Sequence, residues 1–205
     1  ERGSYAQDFI GVKLNGFTVS SDQDTMKRLS LCFLLFLPTV LTAQIFDNAS
    51  EIATPVGINA MEPALFGIAD GSIIMSWTEP DGTDFAVKTA TLQGGNWSKP
   101  VTVTTSNSLF VNWADFPTIA AFNDGTLAVS WLQENTNIPY AYDINIALSS
   151  DAGQTWGSPI VPHDDQSTRQ HGFLTLLPTE RDEMIAVWLD AREYNSQSPG
   201  DSFGN

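Results

Sequence analysis

The chain has 205 residues, 42% of them hydrophobic, and carries 24 Asp and Glu against 9 Lys and Arg, a formal net charge of −15. An acidic excess of this size repels nucleic acid and anionic lipid, and no basic stripe interrupts it, so nucleic-acid binding is excluded. With one cysteine, Cys32, the chain has no internal disulfide to staple it, and its stability has to come from packing.

Residues 1–25 precede Met26 and read as an upstream, non-native extension. Residues 26–43, MKRLSLCFLLFLPTVLTA, run from two cations through an apolar stretch to a small residue, the order of a secretory signal peptide. That stretch is broken by Pro38 and is shorter than the roughly 20 residues that span a bilayer. Cys32 lacks the small neighbours that precede a lipidated cysteine. Cleavage after Ala43 is expected to leave residues 44–205, cysteine-free, without a membrane span, and secreted or periplasmic.

Beyond Gln44 no segment keeps apolar residues at helical spacing, and short apolar runs bounded by Asp, Gly, Asn or Glu predict an all-β fold. The first unit has expected strands A to D at 63–68, 72–77, 85–91 and 101–104. The second has them at 116–122, 126–131, 143–148 and from about Pro159, and the third begins at Phe173 and Met184. "ADGSIIMSW" (69–77), "NDGTLAVSW" (123–131) and "ERDEMIAVW" (180–188) share a turn, an apolar strand and a terminal Trp, spaced 54 and 57 residues apart. A second series, "TLQGGNW" and "SSDAGQTW", ends at Trp97 and Trp156, 59 residues apart. About four short strands per unit at this period predict the blades of a β-propeller. The sequence then ends at "GDSFGN" before a third strand C, so 44–205 is read as about two and a half blades of a longer protein.

The stretch Ser149–Trp156 carries S-x-D-x-G-x-T-W through Ser149, Asp151, Gly153, Thr155 and Trp156. It resembles the Asp-box (BNR repeat) of the sialidase, or neuraminidase, superfamily, and "GGNW" (94–97) is similar to a degenerate copy that has lost the Asp. The resemblance covers roughly residues 60–192 and implies a six-bladed ring when complete, a glycan or glycoconjugate partner and no cofactor. The motif itself reads as a structural clasp. Asp151 can gather N–H groups of its own turn, Gly153 can take a positive φ, and Trp156 can bury its ring. The clasp is a C–D turn, on the face opposite to the family's active site.

The functional face is expected to carry the starts of A strands and the ends of B strands. That brings in Met61, Glu62, Glu79, Asp81, Asp84, Trp113, Asp115, Glu134, Tyr140, His171, Asp190, Arg192 and Glu193. Carboxylates among aromatics suit carbohydrate, because rings stack on C–H faces and carboxylates bind hydroxyls or exchange protons. Asp115, Asp190 and Arg192 are the rim candidates for catalysis. Sialidases hold the substrate carboxylate with three arginines, the first in Arg-Ile-Pro, but the corresponding residues here are Met61-Glu62-Pro63. Beyond Gln44 the arginines are Arg169, Arg181 and Arg192, and Arg181 falls in an A–B turn on the other face. Two readings stay open: a sialidase-like glycoside hydrolase, and a non-catalytic glycan- or protein-binding propeller that has lost those arginines. "PHDD" (162–165) is expected to be a surface loop and "DGTD" (81–84) a turn, with no metal at either. Asn48 and Asn96 fit the N-glycosylation pattern.

Overall fold

The computed structural model describes residues 9–11, 50–135, 141–165 and 167–192. The chain divides into one unit of residues 1–13 with 54–205 and another of 14–53. The expected signal peptide, Cys32, Asn48, Tyr140 and Glu193 lie outside the described residues. No helix among the described residues is long and apolar enough to cross a membrane.

The larger unit is all-β. Its strands in chain order are β1 (Phe9–Gly11), β2 (Met61–Gly67), β3 (Ile73–Asp81), β4 (Asp84–Gln93), β5 (Asn96–Trp97), β6 (Val101–Ser106), β7 (Ile119–Ala121), β8 (Leu127–Glu134), β9 (Tyr142–Ser149), β10 (His171–Pro178) and β11 (Met184–Asp190). They form three small sheets. The first runs β2-β3-β4, with β5 and β6 both paired to β4; the second runs β7-β8-β9; the third runs β10-β11, with β1 parallel to β11. All other strand pairs are antiparallel, and none of the described sheets closes on itself. The fourth strand expected in the second unit shrinks to one bridge, Ile146 to Ile160. Pro159 and Pro162 flank that bridge and have no N–H to extend a ladder.

The three units repeat down to single hydrogen bonds. Each A–B turn closes with the same backbone bond: Ile68 N–H to Ser72 O, Phe122 N–H to Thr126 O, and Thr179 N–H to Glu183 O, at 2.8, 2.8 and 2.9 Å. The tip residue needs a left-handed backbone, which Gly71 (φ 85°) and Gly125 (φ 87°) supply freely and Asp182 (φ 57°) supplies at some strain. On each B strand the indole N–H reaches the residue two positions on, which shares its face of the sheet. Trp77 donates to Glu79 at 2.7 Å, Trp131 to Gln133 at 3.3 Å and Trp188 to Asp190 at 3.3 Å. The sequence pattern W-x-(E/Q/D) is thus a side-chain latch.

Apolar residues fill the seams between sheets. Ile74, Val87, Ile119, Leu127, Val129 and Trp131 pack between the first and second. Ala120, Ile144, Ile146, Leu176 and Met184 pack between the second and third. Trp77 is fully buried, and burial of a large side chain of this kind contributes about 1.5–3 kcal/mol. Polar ties cross the same seams: the Ser76 hydroxyl donates to Pro117 O, Thr118 Oγ1 to Leu174 O at 2.9 Å, and Asn123 Nδ2 to Thr179 O at 2.7 Å.

The Ser149–Trp156 turn is closed by its own hydrogen bonds. Ser149 Oγ accepts from Gly153 N–H at 2.9 Å and donates to Asp151 Oδ1 at 2.8 Å. Asp151 accepts from Thr155 N–H at 2.9 Å and from Thr155 Oγ1 at 2.6 Å. Those bonds from Thr155 and Ser149 push the Asp151 carboxyl down to about 2. Gly153 has φ 82°, and Trp156 packs against the seam between the first two sheets. The Gly94–Gly95 turn does not form such a clasp. With no Asp to collect N–H groups, its two positive-φ glycines (56° and 81°) make a two-residue hairpin between β4 and β5. "DGTD" is the expected turn, with Asp81 paired to Asp84 and φ 66° at Gly82.

Candidate functional site

The strands give the molecule two distinct ends. Asp70, Ser72 and Gly125 from the A–B turns join Ala152, Gly153 and Gln154 of the clasp around a cleft of about 480 Å³. The starts of β2, β7 and β10 and the ends of β3, β8 and β11 lie at the other end, as antiparallel pairing requires. That second end carries the candidate residues.

Two of the A strands there are bulged. The register slips between Met61 and Ala64 in β2 and between Gly172 and Thr175 in β10. Within the slips sit Glu62 (φ 60°) and Phe173 (φ 54°), neither of them glycine. Bulges re-aim side chains, and left-handed non-glycine residues persist only where their surroundings hold them. Asp115 precedes β7: its Oδ1 accepts from Phe173 N–H of β10 at 2.7 Å and its Oδ2 from Asn112 Nδ2, three residues earlier in the same loop, at 2.9 Å. Asn112 Oδ1 in turn accepts from Ala114 N–H at 2.6 Å and Asp115 N–H at 3.2 Å.

Glu62 is half-buried beside this network. Burial raises its carboxyl to about 7, and the negative charge of Asp115 adds to the rise. The Thr78 hydroxyl and the Asn112 backbone favour the ionised form but do not offset the burial. Glu62 Oε1 is buried without a hydrogen-bond partner. Close to Asp115 in sequence, Trp113 is 93% exposed and Phe116 is exposed; Phe173, whose N–H bonds to Asp115, is exposed as well. The sequence placed Glu62 on this face only as the acid standing where an arginine is expected. Its raised carboxyl depends on the bulge and on burial, which no residue pattern reports.

Asp190 and Arg192 form a closed pair. Arg192 Nε donates to both oxygens of Asp190 at 3.0 and 2.9 Å, and its Nη2 lies 2.7 Å from Asp190 Oδ2. Nη1 reaches Asp164 at 2.7 Å and Nη2 lies 3.4 Å from Asp165. Burial disfavours the Asp190 charge, but the bonds from Arg192 and Trp188 outweigh it and push the carboxyl down to about 2. Glu79 is likewise engaged, accepting from Trp77, from Gly57 N–H at 2.8 Å and from Lys88 Nζ at 2.5 Å. Burial opposes its ionisation, yet these donors hold it below the usual carboxylate range.

The "PHDD" segment departs from the expected surface loop. Asp164 is exposed, but the His163 side chain is 1% exposed and stacks on His171 with ring centroids 3.9 Å apart and planes 2° from parallel. Asp165 Oδ1 lies 3.1 Å from His163 Nδ1 and 3.0 Å from His171 Nε2. Asp143 Oδ1, from β9, lies 3.5 Å from His163 Nε2 and 3.9 Å from His171 Nδ1. The segment folds inward because two imidazoles and a carboxylate, 8 residues apart at most in sequence, meet across the start of β10.

The described chain is an all-β protein of small antiparallel sheets. No family model matches the sequence, and a comparison with curated proteins gives no match. Among solved structures, the chain is similar to a protein of unknown function from Dyadobacter fermentans DSM 18053, at TM-score 0.46 and 12% identity over 61% of this chain and 45% of that one. It is also similar to Hadza microbial sialidase Hz136, at TM-score 0.38 and 18% identity over 58% of this chain and 29% of that one. The chain therefore spans less than half the length of either neighbour.

Proposed function

We propose that the chain is part of a secreted, sialidase-like β-propeller that acts on glycans as a glycoside hydrolase, with its site at the Glu62–Asp115 end. The observation that carries this reading is that Glu62, in the bulge of β2, lies close enough to Asp115 to feel its charge, with the exposed Trp113 two residues before Asp115 in the chain. Glycoside hydrolysis needs one carboxyl that keeps its proton near neutrality and a second that stays charged. Glu62, raised to about 7 by burial, suits the first role, and Asp115, held in place by Asn112 and Phe173, is the second carboxyl at this end. Trp113 offers an aromatic face for a sugar ring. The three repeated units and the Ser149–Trp156 clasp support the propeller.

Arg192 favours a second reading within the same class of ligand. Its guanidinium is spent on Asp190, Asp164 and Asp165, which leaves it poorly placed to hold a substrate carboxylate. A neutral glycan, hydrolysed or simply bound, then fits better than a sialylated one. Calorimetric titration of sialylated and neutral oligosaccharides into the full-length protein, and into Trp113→Ala and Asp115→Ala variants, tests the site. Binding that weakens at least about tenfold in both variants supports it, since a lost stacking face or a lost charged hydrogen bond is worth about 1–3 kcal/mol. Unchanged affinity in both variants contradicts it.

A further inference from the structure

We propose that Asp143, His163 and His171 form a binding site for one divalent transition-metal ion of the zinc class, with a water completing the coordination on the solvent side. The argument begins with hydrogen positions. Asp165 Oδ1 sits within hydrogen-bond distance of one nitrogen from each ring, His163 Nδ1 at 3.1 Å and His171 Nε2 at 3.0 Å. A carboxylate only accepts, so it fixes the N–H of each neutral imidazole on its own side. The lone pairs are then on His163 Nε2 and His171 Nδ1, and both face Asp143 Oδ1, at 3.5 and 3.9 Å.

Those atoms are all acceptors. The carbonyl of Tyr142 lies 3.3 Å from His171 Nδ1 and would accept a hydrogen bond from that nitrogen in the other tautomer, so metal binding there replaces that bond. His163 Nε2 is buried and has no hydrogen-bond partner, a costly state for a polar atom. Lone pairs gathered around one point repel unless a cation lies among them. One ligand atom from each of Asp143, His163 and His171 lies within 4.8 Å of the others. Tetrahedral zinc, with bonds of about 2.0–2.2 Å, brings its ligand atoms to roughly 3.3–3.6 Å from one another. Asp143 and His163 already meet that spacing; His171 Nδ1, 3.9 Å from Asp143, has to draw in, and the two parallel rings have to rotate out of their stack so that their lone pairs converge.

The ligand chemistry selects the ion. Two imidazoles with one carboxylate suit zinc and its borderline neighbours, and are too nitrogen-rich for calcium or magnesium. Asp165 supplies the outer hydrogen bonds that orient metal-bound histidines and raise their basicity. The fold holds the parts in place: β9 carries Asp143, the Ile160 bridge sets the start of the His163 segment, and pairing of Tyr142 with Gln170 lays His171 beside β9. Asn135, Asp143, His163, Asp165 and Ser167 line an open cleft of about 410 Å³, which leaves a route for the ion and room for the water.

The test uses the full-length protein stripped with chelator and titrated with Co(II), whose ligand-field absorption reports tetrahedral nitrogen and oxygen ligation, and separately with Zn(II) by calorimetry. The expected result is one equivalent of either metal, a visible Co(II) band, and a melting temperature that rises with Zn(II). Asp143→Asn and His163→Gln should lose the band, and Asp165→Ala should weaken Zn(II) by about 10–100-fold. Asp143 is partly exposed, so Asp143→Asn retains a folded reference if His163→Gln does not fold. A proton on one ring is the rival answer to the same lone-pair problem. If the wild-type protein gives no Co(II) band and no Zn(II)-dependent melting shift, or if folded Asp143→Asn binds as the wild type does, the metal site is refuted.

Discussion

Ser149→Ala tests whether the Ser149–Trp156 turn is held by its own hydrogen bonds. Ser149 is 2% exposed, and its Oγ is the acceptor for the buried Gly153 N–H at 2.9 Å and a donor to Asp151 at 2.8 Å. The substitution removes one hydroxyl and opens almost no space. It leaves the Gly153 N–H without an acceptor, a loss of about 1–3 kcal/mol. For a domain of this size each kcal/mol shifts the melting temperature by about 2–4 °C, so a mid-range loss lowers it by about 4–8 °C. Thermal melts by circular dichroism, with denaturant titration to check that the transition stays cooperative, provide the measurement. The pH dependence supplies a second signature. The Asp151 carboxyl is depressed to about 2, so its contribution is present above its unfolded value near 3.8 and is lost as pH falls through about 2. Ser149→Ala removes one of the bonds that depress it and narrows that window. A melting temperature within about 1 °C of wild type at neutral pH refutes the reasoning, because an orphaned buried donor cannot be so cheap.

At Gly125, φ is 87° and an added Cβ meets nothing within 4 Å, so Gly125→Ala should cost about 1–2 kcal/mol through backbone strain alone. Gly67→Ala, equally open and not left-handed, should by contrast be neutral or slightly stabilising in the same melts. Glu62→Gln addresses the raised carboxyl: in the wild type its contribution is fully present below about 4.5 and declines as pH rises through about 7. The variant should flatten the stability profile across that interval, and an unchanged slope counts against burial as the cause.

Much of the strand plan was legible because it follows from period-2 apolar runs with glycine or aspartate at the tips. The strands expected at 72–77 and 126–131 start one residue before β3 and β8 and end inside them, and the offset of 54 residues between Trp77 and Trp131 recurs between Gly71 and Gly125. The W-x-(E/Q/D) latch was present in the sequence, but its meaning depends on residues two apart sharing a face of an extended strand. What could not be read is long-range. Asp115 meets Phe173 over 58 positions, and His163 is buried because a stretch between two prolines and β10 turns inward. The pairing of Phe9–Gly11 with β11 leaves no pattern signal either, since a three-residue strand is too short to show a period. The candidate site was therefore legible as an end of the sheets, and Glu62 emerged as its distinctive carboxyl only once burial was known.

The most direct test of the central claim is the pH profile of glycoside turnover by the full-length protein, assayed on sialylated and neutral aryl glycosides beside Glu62→Gln. If Glu62 is the general acid, wild-type turnover declines as pH rises through about 7, where the carboxyl gives up its proton. Glu62→Gln should then lose about 10²–10⁴-fold in turnover while retaining affinity for the glycan. A folded Glu62→Gln protein that turns over the same glycosides at the wild-type rate, with the same pH profile, contradicts the account.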